Sequence, residues 1–203
     1  MIGPEATQMT MVKQLGYLVF EVSDLEAWEG FGTKILGLQV SDRRGNAGFS
    51  LRMDEYAQRF FIEQGPADDL AAVGWEVEDR KALETITERL RGAGHEVVEC
   101  TADQAAARNV QTLVRVDDPA GNPIEIFFGP KMADEAFESK VVDGGFVAGD
   151  QGFGHVVVVS KDDEAHEKFY ETMFGLKLSD YIRCEYFGHQ INVTFMHANA
   201  RHH

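Results

Sequence analysis

The chain repeats itself, and this constrains its fold more than any other feature. Gly154-His-Val-Val-Val-Val-Ser160 overlays Gly16-Tyr-Leu-Val-Phe-Glu-Val22 without a gap. The match continues through Asp24 and Asp162, Glu26 and Glu164, Ala27 and Ala165, and Phe31 and Phe169, then Gly37 and Gly175, Leu38 and Leu176, Ser41 and Ser179, and Asp42 and Asp180. Agreement over a whole strand and the segment behind it implies a modular fold, in which each copy buries its apolar face against a like neighbour.

Within the first copy, the branched and aromatic run Leu15 to Val22 predicts a buried strand. Ser23 and Asp24 offer capping oxygens, Glu26 to Leu36 has helical spacing, and Gly37 is a stop signal. Short turn-bounded strands follow at 38–42, 47–53 and 59–63. A second unit of the same kind comprises a strand at 71–77, a helix at 80–91 with Leu83, Ile86 and Leu90 as its stripe, and a strand at 95–100. A loop through Ala107, a strand at 110–116, the turn Asp117-Asp-Pro-Ala-Gly-Asn122 and a strand at 123–128 complete it. Periodicity fades between Gly129 and Gly152. The third unit then begins, with a strand at 154–160 and a hairpin at 183–187 and 190–196, and the sequence stops where its last strand is expected. The opening, Met1 to Thr10, is polar and aperiodic, as in a disordered tail.

A length of 203 residues is enough to bury a sizeable core. The formal net charge of -15, with the basic residues scattered, opposes a phosphate backbone and argues against nucleic acid. No segment reaches the roughly 18 apolar residues of a membrane helix, and no secretory leader is recognisable. Two distant cysteines, Cys100 and Cys184, make a disulfide framework improbable and point to a reducing, cytoplasmic setting.

Five stretches carry a family resemblance: Gly74-Trp-Glu-Val-Glu-Asp79, Asp118-Pro-Ala-Gly-Asn-Pro-Ile-Glu-Ile-Phe-Phe-Gly129, Gly152-Phe-Gly-His-Val156, Phe174-Gly-Leu-Lys-Leu-Ser-Asp180 and His197-Ala-Asn-Ala-Arg-His-His203. On these the chain resembles the vicinal oxygen chelate superfamily, and within it the type I extradiol ring-cleaving dioxygenases. The resemblance implies an α+β fold of βαβββ modules paired into open barrels. It further implies an N-terminal two-module domain without metal at 12–130, a linker at 131–151, and the first module of a metal-binding domain at 152–203. That last domain is expected to be incomplete and the chain as given inactive.

The implied chemistry is cleavage of a substituted catechol, of the 2,3-dihydroxybiphenyl kind, by dioxygen at a mononuclear Fe(II), with Mn(II) the second choice. Two imidazoles and one carboxylate on one face of the metal leave positions for both catechol oxygens and for dioxygen. By resemblance, His155 matches the first metal-binding histidine, and His203 matches the acid-base histidine that takes a catechol proton, since an imidazole titrates near working pH. His202 would shape the site. Val157, two residues after His155 and so on the same strand face, would line the aromatic pocket with Phe195. The remaining ligands belong to a fourth module. A homo-oligomer is expected, because the family commonly assembles.

In the N-terminal repeat, Tyr17 stands at the position of His155, Phe127 stands at the position of the family's carboxylate ligand, and Glu125 matches a non-ligand position. No metal is expected there. His166, beside Glu164 and Glu167, is predicted on a solvated helix surface, while Trp28 and Phe31 are predicted in the helix core. His95, His189 and His197 have no spacing that argues metal. Two alternatives stay open: a non-catalytic module that binds a small aromatic compound, and a glyoxalase-like metalloenzyme completed by a second subunit.

Overall fold

The computed structural model describes residues 11–149 and 152–199. The segment Met1–Thr10, expected to be an aperiodic tail, and the candidate site residues His202 and His203 lie outside the described residues.

Two βαβββ units merge into one eight-stranded sheet. The first contributes β1 (Gln14–Val22), α1 (Leu25–Gly30), β2 (Gln39–Arg43), β3 (Gly48–Arg52) and β4 (Phe60–Gln64). The second contributes β5 (Asp69–Glu76), α2 (Arg80–Gly92), β6 (Val98–Glu99), α3 (Ala102–Ala107), β7 (Val110–Asp117) and β8 (Pro123–Pro130). The strand order β2-β3-β4-β1-β5-β8-β7-β6 is a mirrored arrangement of two like halves. In each half the first strand pairs in parallel with the last, Leu18 opposite Phe60 and Val73 opposite Ile124. The halves join through the antiparallel pair β1 and β5.

The helix starts carry aspartate caps, of which the one at Asp24 was read from the sequence. The carboxylates of Asp24, Asp79 and Asp162 accept hydrogen bonds from Ala27 N, Ala82 N and Ala165 N at 2.9, 2.8 and 3.0 Å, satisfying amides that a helix start leaves open. The repeat extends to local geometry. Both α1 and α4 (Asp163–Phe169) run on into a π-helical turn, at Phe31–Ile35 and Tyr170–Phe174. Gly37 (φ 75°) and Gly175 (φ 70°) then reverse the chain in the left-handed region, where a side chain is strained. The stretch 101–107, expected to be a loop, begins with a Thr101–Gln104 capping box and forms α3.

The largest apolar cluster unites Leu15, Trp75, Ile86, Leu90 and Ile126 of the first two units with Phe169, Tyr170, Phe174 and Leu176 of the third. Each such side chain contributes roughly 1.5–3 kcal/mol on burial, so the third unit's helix is anchored by packing. Arg89 Nη1 adds a 2.9 Å bond to Thr172 O. The segment 131–149 is also held, since Arg52 donates to the carbonyls of Glu135 and Ala136 at 2.8 and 2.9 Å, and the Ser139 hydroxyl donates to Gly37 O at 2.7 Å.

Three expectations need correction. Residues 154–160 were expected to form a strand; they run outside any strand or helix. Their counterpart β1 is held by ladders on both sides, whereas 154–160 has no ladder partner among the described residues. The hairpin β9 (Lys177–Tyr186) and β10 (His189–His197) stands as a separate two-stranded sheet. Phe31, expected in the helix core, is exposed at the start of the π turn, while Trp28 is half-buried and packs on Phe20 at 5.1 Å between ring centroids. His166, expected on the surface, is buried; its position three and four residues before Phe169 and Tyr170 places it on their inward face.

Candidate active site

Although 154–160 is not in a ladder, its side chains alternate. Val156 and Val158 pack against the main core, while His155, Val157 and Val159 are exposed, with Val157 at 74%. Apolar residues at every second position dock one face and leave the other for function. His155 and Val157 therefore share a face, as their spacing predicted. Phe195 reaches the same place from β10, and all three line a cavity of about 410 Å³. The structure thus brings together the three described members of the sequence-predicted site.

The cavity has further walls outside the site residues expected from the sequence. Trp75 comes from β5 of the second unit, His166 and Tyr170 from α4 and its π turn, and His197 from the end of β10. His197 Nδ1 lies 2.7 Å from Ser179 Oγ across the hairpin. Behind this wall, Asp118 in the Asp-Pro-Ala-Gly-Asn turn gathers Asn122 N, Asn122 Nδ2 and Ala120 N at 2.8, 2.8 and 2.9 Å, with His166 Nε2 at 2.7 Å and the Tyr170 hydroxyl at 3.3 Å. Burial alone would push the Asp118 carboxyl up, but the Asn122 bonds and His166 outweigh it and hold the carboxyl below the usual carboxylate range. Burial first, and Asp118 second, push the Tyr170 phenol well above its ordinary value, so it stays neutral and donates. His166 could have been found from the apolar stripe it shares with Phe169 and Tyr170. Asp118 opens the Asp118–Gly129 motif, but from sequence it had no role at the site beyond turn chemistry.

At the corresponding place in the N-terminal repeat, Tyr17 donates to Glu125 Oε2 at 2.6 Å. Arg108 Nε donates to the same oxygen at 2.9 Å, and Arg115 Nη2 to Oε1 at 2.7 Å. Phe127 stacks on the Tyr17 ring at 4.7 Å. Burial raises the Glu125 carboxyl, but Arg108, Tyr17 and Arg115 overcome this and leave it below the usual range. Burial and then Glu125 push the Tyr17 phenol up. An ionised carboxylate already holding two guanidiniums and a phenol has its acceptor sites filled by protein donors.

Iron needs several converging donors. Among the described residues no three His, Cys, Asp or Glu side chains converge, so these residues supply one candidate ligand, His155, and do not by themselves make up a two-histidine, one-carboxylate set. No helix among the described residues is long and apolar enough to cross a membrane.

Comparisons with known proteins bear on this geometry. The family model described as Dihydroxybiphenyl dioxygenase BphC D1 matches residues 15–65. A 1,2-dihydroxynaphthalene dioxygenase of Pseudomonas putida is 36% identical over 200 residues, which is 97% of this chain and 66% of the relative. A biphenyl-2,3-diol 1,2-dioxygenase of Pseudomonas sp. strain KKS102 is 40% identical over 197 residues, 95% of this chain and 66% of the relative. The crystal structure of a catechol 2,3-dioxygenase superposes with a TM-score of 0.87 at 36% identity, over 95% of this chain and 68% of that one. The chain spans about two thirds of the length of the relatives it matches. With the mirrored βαβββ sheet, the third repeat and these relatives together, the chain belongs to the extradiol ring-cleaving dioxygenases of the vicinal oxygen chelate fold.

Proposed function

We propose that the protein carrying this chain cleaves a substituted catechol beside its hydroxyl groups, using dioxygen and a mononuclear Fe(II), with Mn(II) the second choice. The observation that carries this is the shared cavity: His155, Val157 and Phe195, which the family resemblance nominated, wall one partly apolar space of about 410 Å³. That volume lies within the usual range of small-molecule pockets. The names of the relatives, which act on dihydroxynaphthalene, biphenyl-2,3-diol and catechol, support an aromatic diol as substrate.

In this proposal His155 is a metal ligand, and His203 is the residue that takes a phenolic proton at its imidazole nitrogen. His202 helps shape the site. Val157 and Phe195 exclude water from the aromatic ring and orient it, which strengthens every polar contact made beside it. The metal would supply chelation of the two adjacent oxygens. Residues 12–130 act as the scaffold, 131–151 as the connection, and 152–203 as one half of the catalytic domain, within a soluble cytoplasmic homo-oligomer.

The test is ring fission. Protein purified from its natural reading frame, loaded anaerobically with Fe(II), then given 3-phenylcatechol and air, should form a coloured ring-fission product and take up dioxygen. His155→Ala should lose both iron and product while keeping its thermal midpoint, since the residue is exposed. Iron retention by His155→Ala would remove the ligand assignment, and absence of product from iron-loaded wild type would remove the activity.

A further inference from the structure

The segment that carries His155 and Val157 lies in no ladder among the described residues, so contacts at its two ends decide where it sits. The first two units hold both ends. Behind the segment, Asn122 Nδ2 donates to Val159 O at 3.3 Å, and Lys161 Nζ donates to Ala120 O at 2.8 Å. Ahead of it, Gly152 turns at φ 74° so close to Gln14 that a Cβ would sit 2.5 Å from Gln14 Oε1. Phe153 then sets its ring edge-on against Phe60 of β4, 4.9 Å between centroids, with the Arg59 guanidinium 5.9 Å from the same ring.

The receiving side chains are themselves fixed. Arg59 is 1% exposed and donates through Nε to Asp54 Oδ2 at 2.9 Å and through Nη1 to Gly16 O at 3.0 Å. Gln14 is buried and donates to the Tyr56 hydroxyl at 2.5 Å and to Glu76 Oε2 at 2.7 Å. Side chains locked in this way make a rigid seat. Arg59 thus touches both copies of the module, the Gly16 carbonyl in one and the ring before the equivalent Gly154 in the other. Gly154, at φ 127°, separates Phe153 from His155 and gives the backbone a freedom that the seated ring restrains. A ring that merely filled the core would have no reason to line the cavity, yet Phe153 lines it together with His155 and Val157.

We propose that Phe153 is a positioning residue: seated on Phe60 and Arg59, it holds the backbone of His155 where the imidazole serves the cavity, so that the N-terminal scaffold sets the geometry of the site. The iron arm of the test rests on His155 being a metal ligand, as proposed above; the placement of the imidazole does not.

The experiment compares natural protein as wild type, Phe153→Ala, Phe153→Leu, Phe60→Ala and the double alanine variant. The first readout is the imidazole NMR signal of His155 in metal-free protein, identified by its loss in His155→Ala. It should move in Phe153→Ala and return in Phe153→Leu, while the signal of His95, packed on Phe169 in the main core, stays in place. The second is Fe(II) affinity under anaerobic conditions. Each alanine variant should bind iron about tenfold more weakly, the scale seen when the support of a metal ligand is removed. The double variant should be no worse than either, because the two rings share one contact. If Phe153→Ala fails to fold, Phe60→Leu carries the same comparison, since it keeps the core filled and withdraws the ring contact. An unmoved His155 signal, or equal movement of the His95 signal, would overturn the proposal. Iron lost by His155→Ala but bound normally by Phe153→Ala would also overturn it and leave the ligand assignment standing. Iron retained by His155→Ala would remove that assignment, and the His155 signal then decides the proposal alone.

Discussion

The Tyr17 hydroxyl donates a 2.6 Å hydrogen bond to Glu125 Oε2, linking β1 to β8 across the centre of the N-terminal sheet. Tyr17 occupies the repeat position of His155. One copy of the module therefore closes on itself, with a phenol and two guanidiniums around a buried carboxylate, while the other turns an imidazole toward a cavity. The same backbone position serves packing in one copy and a proposed ligand role in the other.

The Glu125 cluster makes an ordered prediction about stability. Tyr17→Phe removes one of several donors and should cost about 1 kcal/mol. Glu125→Ala strands Arg108 and Arg115 beside an empty site and should cost roughly 3–5 kcal/mol. Urea unfolding of the two variants measures both; a larger loss for Tyr17→Phe would show that the carboxylate is not the centre of the cluster.

Acid should destabilise the protein through Asp118 and Glu125. Both carboxyls are held below their ordinary values in the folded state. Their contribution is therefore complete above the unfolded pKa, about 4, and is lost as pH falls through the lower folded values, when protons bind preferentially to the unfolded chain. Thermal midpoints measured from pH 6 down to 3 should fall below about pH 4. Asp118→Asn should start lower and show a shallower acid limb than wild type.

The paired strand and its unpaired copy should differ in amide exchange. Leu18 to Glu21 sit between two ladders, whereas 156–160 lie outside any ladder among the described residues. Exchange of the 156–160 amides should be faster by orders of magnitude, because opening there breaks no sheet. Equal protection would mean that the segment is paired in solution.

Gly37 turns the chain at φ 75°, and a Cβ there would sit 2.6 Å from Ser139 Oγ. Gly37→Ala should cost at least about 1–2 kcal/mol for the left-handed backbone, and should also loosen the 131–149 segment that Ser139 pins to Gly37 O. Limited proteolysis near residue 140 reports the second effect, and the melting midpoint reports the first.

Much of this protein was legible in one dimension. The cap at Asp24 and the stop glycine at 37 are local signals that reappear in the structure as turn chemistry requires, and the repeat carries their counterparts to Asp162 and Gly175. Alternation alone placed His155 and Val157 on one face, and the hairpin placed Phe195 where it could meet them. Tertiary structure decided the rest. Whether 154–160 is a strand depends on neighbours far along the chain, because a ladder needs a partner that periodicity cannot supply. Whether His166 is solvated or buried depended on the approach of the 118–122 turn, a contact between residues 48 apart in sequence. Trp75, His166 and Tyr170 became pocket residues only when separate units packed together, since burial, pairing and charge balance are properties of neighbours in space.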